Sequence, residues 1–231
     1  MNTPRLQKKD TVLVLFDLDH TLLDVDSDDL WGKYLVKHGY VNEENYGRTN
    51  QKFYQEYIAG TLDAIKYNEF VAQFLSTLPI KRLYEMRKDY VESEIIPHIR
   101  PKALRVLHEH LELGREVVIT SATNDFLVSS IAQHFGLLEA NIIATPLELK
   151  NQCYTGKLTD RPNFKEDKIY HIDKWLDKKK LANISFDKTY FYSDSKNDIP
   201  LLEWADVSIC VTPDDYLRAY ALTQQWLIED W

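Results

Sequence analysis

The sequence predicts an α/β fold: a parallel sheet with helices on both faces, joined to an all-helical insertion. Three observations point there. Val12–Phe16 is a run of five apolar residues, too short for a helix core, and reads as a strand buried on both faces. Strand-like runs at 116–120, 189–192 and 206–211 then alternate with amphipathic helical stretches, the pattern of a parallel sheet. Between residues 24 and 96, by contrast, only helical periodicity is found.

In chain order, the first strand breaks off at Asp17-Leu18-Asp19-His20-Thr21. Asp28 and Asp29 read as the first turn of a helix that carries Leu30, Trp31, Tyr34 and Leu35 and stops at Gly39. A second helix is expected over 43–59, with Tyr46, Phe53, Tyr57 and Ile58 inward, stopped by Gly60. Asp63 opens a third, with Ile65, Phe70, Val71 and Phe74 inward. Pro79 begins a fourth through Leu83, Met86, Tyr90 and Val91. The next helix, 101–113, turns Leu104, Val106, Leu107 and Leu111 to the core. A buried strand over 116–120 leads into Ser121-Ala122-Thr123-Asn124, and a helix over 125–135 is capped by Gly136. A short strand at 141–144 precedes a hairpin over 147–158, turning at Lys150-Asn151-Gln152. After a helix at 165–180, the strand at 189–192 runs straight into Ser193-Asp194-Ser195-Lys196-Asn197-Asp198. A short helix (200–204), a strand (206–211), a helix from Pro213 and a strand near 226–228 complete the chain.

Composition narrows the function. A length of 231 residues allows one domain with a large insertion. The net charge of −8 argues against a nucleic-acid surface, which needs clustered Lys and Arg. Cys153 and Cys210 are far apart, with neither disulfide nor metal-ligand spacing, as in a reducing compartment. Met1 to Asp10 is polar and lacks the apolar core of a signal peptide, and no apolar run approaches membrane-spanning length. The expectation is a cytoplasmic, soluble monomer or dimer.

Three strands therefore end in polar clusters: Asp17/Asp19/Thr21, Ser121/Thr123/Asn124 and Asp194/Asn197/Asp198. Parallel strands present their C-terminal ends on one edge, so these clusters can converge. Four carboxylates together repel one another, and one Mg²⁺ with one Lys would bring the sum to about −1. Oxygen donors without His or Cys suit Mg²⁺ and a substrate phosphate. A freed Asp could then attack phosphorus and form an aspartyl-phosphate.

Asp17-Leu18-Asp19-His20-Thr21, the strand-end Ser121, a Lys before a helix, and Asp194 with Asn197-Asp198 resemble the four motifs of the haloacid dehalogenase superfamily. A helical insertion just after the first motif is similar to its phosphoserine phosphatase-like branch. The resemblance implies a Rossmann-like core formed by 1–23 and 98–231, with a helical cap at 24–97 that sets specificity. It implies Asp17 as nucleophile and Mg²⁺ ligand, and Asp19 as acid and base, its carbonyl on Mg²⁺. Ser121 would hold the phosphoryl oxygens. Asp194 would complete the metal site, with Thr21, Ala122, Asn197 and Asp198 supporting. Lys168 is preferred over Lys165, because 165–168 is similar to the branch's Gly-Glu-Gly-Lys. Two departures stand out. Ser193 and Ser195 replace the glycines of the usual Gly-Asp-Gly, and Ala122 stands where Gly is common.

The expected activity is a Mg²⁺-dependent phosphatase for a small phosphorylated metabolite, phosphoserine or histidinol phosphate being the nearest kinds. A phosphotransferase, or a phospho-accepting signalling module, are the alternatives. A receiver-type module is about half this length and has no use for Asp19. Asp26 stands between the nucleophile and the first insertion helix, near where phosphoserine phosphatases carry a Glu for the substrate ammonium group. A carboxylate beside a phosphate helps only a substrate with positive charge, so Asp26 is expected to bind an amine. Arg48 is the candidate for a substrate carboxylate, and Asn124 a further binding residue.

Overall fold

The computed structural model describes residues 11–231; the polar segment Met1 to Asp10 lies outside the described residues. Among these residues six strands form one parallel sheet: β1 (Val12–Phe16), β2 (Glu116–Asn124), β3 (Ile142–Thr145), β6 (Lys188–Ser193), β7 (Val207–Val211) and β8 (Leu227–Glu229). Their order is β3-β2-β1-β6-β7-β8. β1 lies at the centre, with Phe16 level with Ile119 of β2 and Tyr192 of β6. Its side chains alternate between the faces: Val14 and Phe16 enter one hydrophobic cluster, Leu13 and Leu15 the other.

The second face is covered by α7 (Asp167–Leu181), α8 (Ile199–Trp204) and α9 (Asp215–Gln224), through Ile172, Leu201, Leu202 and Leu217. The first face carries α5 (Pro101–Glu112) and α6 (Asp125–Ala132) together with the insertion helices α1 (Ser27–Lys37), α3 (Ala64–Leu75) and α4 (Ile80–Tyr90). Trp31, Tyr34 and Tyr90 of the insertion are fully buried there, with Phe126 of α6 5.9 Å from the Trp31 ring. One apolar cluster thus runs from the sheet into the insertion without a break. Helix α2 (Arg48–Ala59) is the exception, since among its residues only Asn50 is buried.

The insertion leaves and re-enters the core through paired strands of chain. Leu23 bridges Ile99 in antiparallel fashion, the Asp24 N–H donates to His98 O, and the Arg100 N–H donates to Leu22 O. The Arg100 guanidinium adds bonds to the carbonyls of Leu23 (3.1 Å), His20 (3.3 Å) and Trp231 (2.7 Å). β4 (Leu147–Lys150) and β5 (Cys153–Leu158) form a separate antiparallel hairpin. Its turn residues Asn151 and Gln152 are both left-handed, the conformation a two-residue hairpin turn needs. β5 lies against α3: a Cβ on Gly156 would come within 3.0 Å of Gln73.

Several inward assignments need correction. Leu111 is exposed, and His110 takes the buried place, because the stripe of α5 runs Ala103, Leu107, His110. Ile58 and Ile65 are exposed as well. Ile58 lies one residue, about 100° of helix, past Tyr57, and Ile65 precedes the stripe of Asn68, Val71, Ala72 and Leu75.

Candidate active site

Adjacent β2, β1 and β6 release their chains at one edge of the sheet, and there the acidic residues gather. Asp17 directly follows β1, its N–H bound to Tyr192 O at 2.9 Å. The Lys168 ammonium donates at 2.8 Å to both Asp17 and Asp198. Lys168 itself is 2% exposed. Burial works against its charge, but the two carboxylates outweigh that and hold its pKa above the ordinary lysine value. Lys165 points elsewhere and donates to Gly60 O.

Burial pushes Asp17 well above the usual carboxylate range, with Lys168 opposing and Asp198, Asp194 and Asp19 adding to it. Asp194 is pushed up to about 7, also by burial, although the Thr21 hydroxyl donates to it at 3.0 Å. Thr21 in turn accepts from the Asp194 N–H, which fixes β6's end to the turn after β1. Ser193 and Ser195 both have work in this loop. Ser193 donates to Asp198 at 2.7 Å and accepts from the Ser195 N–H; Ser195 caps the turn by accepting from the Asn197 N–H.

Asp19 faces the other way, toward β2. It accepts from the Ser27 N–H (2.7 Å) on one oxygen and from the Thr123 hydroxyl (2.8 Å) and Ser121 hydroxyl (3.4 Å) on the other. A carboxylate held by Lys168, a second held by hydroxyls, and the buried Ser121 hydroxyl beside the second can carry out attack, proton transfer and oxyanion stabilisation.

Among the described residues no group of three or more His, Cys, Asp or Glu side chains is set to hold a metal ion. Asp17 and Asp194 bring two carboxylates whose burial disfavours their charge. An all-oxygen set this small fits Mg²⁺, which keeps waters and takes a phosphate oxygen.

The sequence profile described as haloacid dehalogenase-like hydrolase matches residues 14–203. A histidinol-phosphatase from Neisseria meningitidis serogroup C (strain 8013) is 37% identical over 215 residues, 93% of this chain and 96% of the relative. The chain belongs to the haloacid dehalogenase-like hydrolase family. It is a phosphatase of that family. A protein of unknown function from Bordetella pertussis Tohama I has the same fold, with a TM-score of 0.88 at 33% identity over 96% of this chain and 99% of its own. A substrate-bound phosphoserine phosphatase superposes at a TM-score of 0.63 with 22% identity, covering 96% and 94% of the two chains.

In this haloacid dehalogenase-like hydrolase a pocket opens beside Asp19, between the sheet edge and the insertion. Asp26, Asp28 and Asp29 line it, with Asn50, Asn68 and the rings of Phe53, Tyr54, Tyr57, Tyr67 and Phe164. Asp26 accepts from the Asp29 N–H at the start of α1, and burial, then Asp19, push it up to about 8. Asp28 is 4% exposed, accepts from the Asn124 side chain at 2.9 Å, and is raised by burial. Asp29 is paired with Lys33 on the outer side. The Asn68 Oδ1 is buried without a hydrogen-bond partner. Ala122 lines the pocket, whereas Arg48 is exposed and outside it. Half a turn on, Asn50 reaches in and donates to Asp29, and a Cβ on Gly32 would strike it at 2.6 Å.

Two contributors were not singled out in the sequence. Sequence alone places Thr123 at the strand end without a role and gives Asn163 none. Asn163 is wholly buried and donates to Ser121 O, Ile143 O and the Thr120 hydroxyl, gripping the end of β2. A lone Asn in a Pro-Asn loop carries no sequence signal for that.

Proposed function

We propose that this protein is a Mg²⁺-dependent phosphomonoesterase whose substrate carries an ammonium group and no carboxylate, as histidinol phosphate does. The observation that carries this reading is the pocket beside Asp19. Among its described lining residues four are Asp (Asp19, Asp26, Asp28 and Asp29) and none is Lys or Arg, and Asp29 alone is paired with a lysine. As it ionises, such a wall attracts an amine and repels a carboxylate, so phosphoserine, which has both, is the poorer fit. The aromatic rings suit a flat or cationic group on the alcohol portion. The orphaned Asn68 Oδ1 awaits an N–H donor. The 37% identical relative named histidinol-phosphatase favours the same choice.

In this reading Asp17 attacks phosphorus and Asp19 gives a proton to the departing alkoxide. Asp19 then takes a proton from the water that cleaves the aspartyl-phosphate. Lys168 aims Asp17 and opposes the effect of burial on its charge. Ser121 and nearby N–H groups take the phosphoryl oxygens. Asp17, Asp194 and the Asp19 carbonyl would hold Mg²⁺, which neutralises phosphate charge. The segment 24–97 acts as the cap that supplies the specificity wall, and the unpaired cysteines suit work in the cytoplasm.

The test is kcat/KM for histidinol phosphate, phosphoserine and their amine-free analogues, in wild type and Asp26→Asn. Preference for the amine-bearing ester without a carboxylate, lost in the variant, is the expected result. Equal or better turnover of phosphoserine refutes the pocket argument.

A further inference from the structure

Among the described residues, the weakly packed helix α2 is fastened to the catalytic loops at its C-terminal end. Its last turn stands over the reacting centre, where the Tyr57 hydroxyl lies against the Ser195 side chain and the ring is 6.3 Å from Phe164. Two lysines hold that turn by its free carbonyls. Lys165 donates to Gly60 O at 3.1 Å and Lys196 to Ile58 O at 3.2 Å. Cations on the carbonyls that end a helix are favoured by its dipole.

Where these lysines sit in the chain gives the contacts their meaning. Lys165 lies three residues before Lys168, and Lys196 two residues after Asp194. Each loop that presents a charged group to the phosphoryl centre therefore also grips the lid of the pocket. Lys165 does so in a left-handed conformation, φ +52°, that disfavours any residue with a Cβ. A glycine would serve the backbone there. The lysine is explained by what its ammonium reaches.

We infer that Lys165 and Lys196 are positioning residues that clamp the C-terminal turn of α2 over the substrate pocket, so that pocket wall and catalytic loops close as one body. This inference rests on the phosphatase reading for its kinetic consequence but not for its structural one. With the clamp gone, α2 swings from its remaining packing, and substrates that depend on Tyr54, Tyr57 and Asn50 bind less well. The chemistry of Asp17 and Lys168 is untouched.

The experiment uses the full chain with Lys165→Gly, Lys196→Ala and the double variant, and Lys165→Arg as rescue. Lys165→Gly removes the ammonium and relieves the backbone, so its Tm should hold, which separates clamping from a general structural role. Amide hydrogen exchange over residues 48–61 should speed up in the double variant, with the sheet unchanged. For the amine-bearing phosphomonoester, KM should rise on the order of tenfold while kcat changes far less, and Lys165→Arg should restore it. Wild-type exchange rates in the double variant, or an unchanged KM, overturn the clamp. If wild type ignores amine-bearing esters, the function proposed above fails, and the exchange rates alone decide the clamp.

Discussion

Lys168 carries the electrostatic weight of the site, because one ammonium group answers two buried carboxylates. Lys168→Met should leave both uncompensated, costing roughly 3–5 kcal/mol of stability together with turnover; urea unfolding and kcat measure the two. Asp17→Asn removes a charge instead and should keep the fold while abolishing turnover, whereas Asp19→Asn should lose about 10²–10⁴-fold. Near-normal turnover by the Asp17 variant would end the covalent reading. The second acidic group gives a pH signature. Burial pushes Asp26 in the free protein up to about 8, so its attraction for an ammonium group grows as it ionises through that range. The value of kcat/KM for an amine-bearing ester should therefore rise from pH 6.5 toward 8.5, and Asp26→Asn should flatten the rise. At this scale the motif acids were legible because two carboxylates at a strand end are anomalous. Asp28 and Asp29 were not. In sequence they pass for favourable first-turn charges, and only the folded helix shows them turned inward and buried.

Elements were legible where periodicity is strong and blurred where a polar residue takes an apolar slot. The α5 stripe ends on His110, not Leu111, since the ring bonds the Tyr192 hydroxyl at 2.9 Å. Burial, helped by Arg115, pushes His110 down to about 4. The unfolded chain binds its proton near 6.5, so between those values the unfolded state holds more protons, and stability should fall as pH drops from 6.5 toward 4. Unfolding free energies across that window should show a shallower fall in His110→Gln. Asn124 joins two elements: it caps α6 by accepting from the Leu127 N–H and donates to Asp28 of α1. Asn124→Ala should cost about 1–2 kcal/mol by denaturant unfolding. In the sequence Asn124 reads only as a strand-end binding residue; its cap and its reach to Asp28, 96 residues away, belong to the fold.

Across the whole molecule, the alternation of strands and helices was enough to foresee a parallel sheet whose C-terminal edge holds the site, because crossover handedness leaves that edge little freedom. The proposed metal dependence belongs to this scale, as it would join groups that follow β1 and β6. Exhaustive chelation should silence the enzyme, Mg²⁺ should restore it, and Ca²⁺ should do so poorly because its looser shell relaxes in-line geometry. Activity that survives chelation would refute the charge balance. What sequence could not convey is how deeply the insertion is rooted. Trp31, Tyr34 and Tyr90 complete the core of the sheet's first face and meet Phe126 of α6. A segment rooted in this way is no interchangeable cassette. A chimera that borrowed a relative's 24–97 would strand half of an aromatic interlock on each side, and would need the matching α6 as well. Altering the substrate preference of this protein should therefore take point changes along α2, where only Asn50 is buried, and in the first turn of α3, which the apolar core leaves unburied.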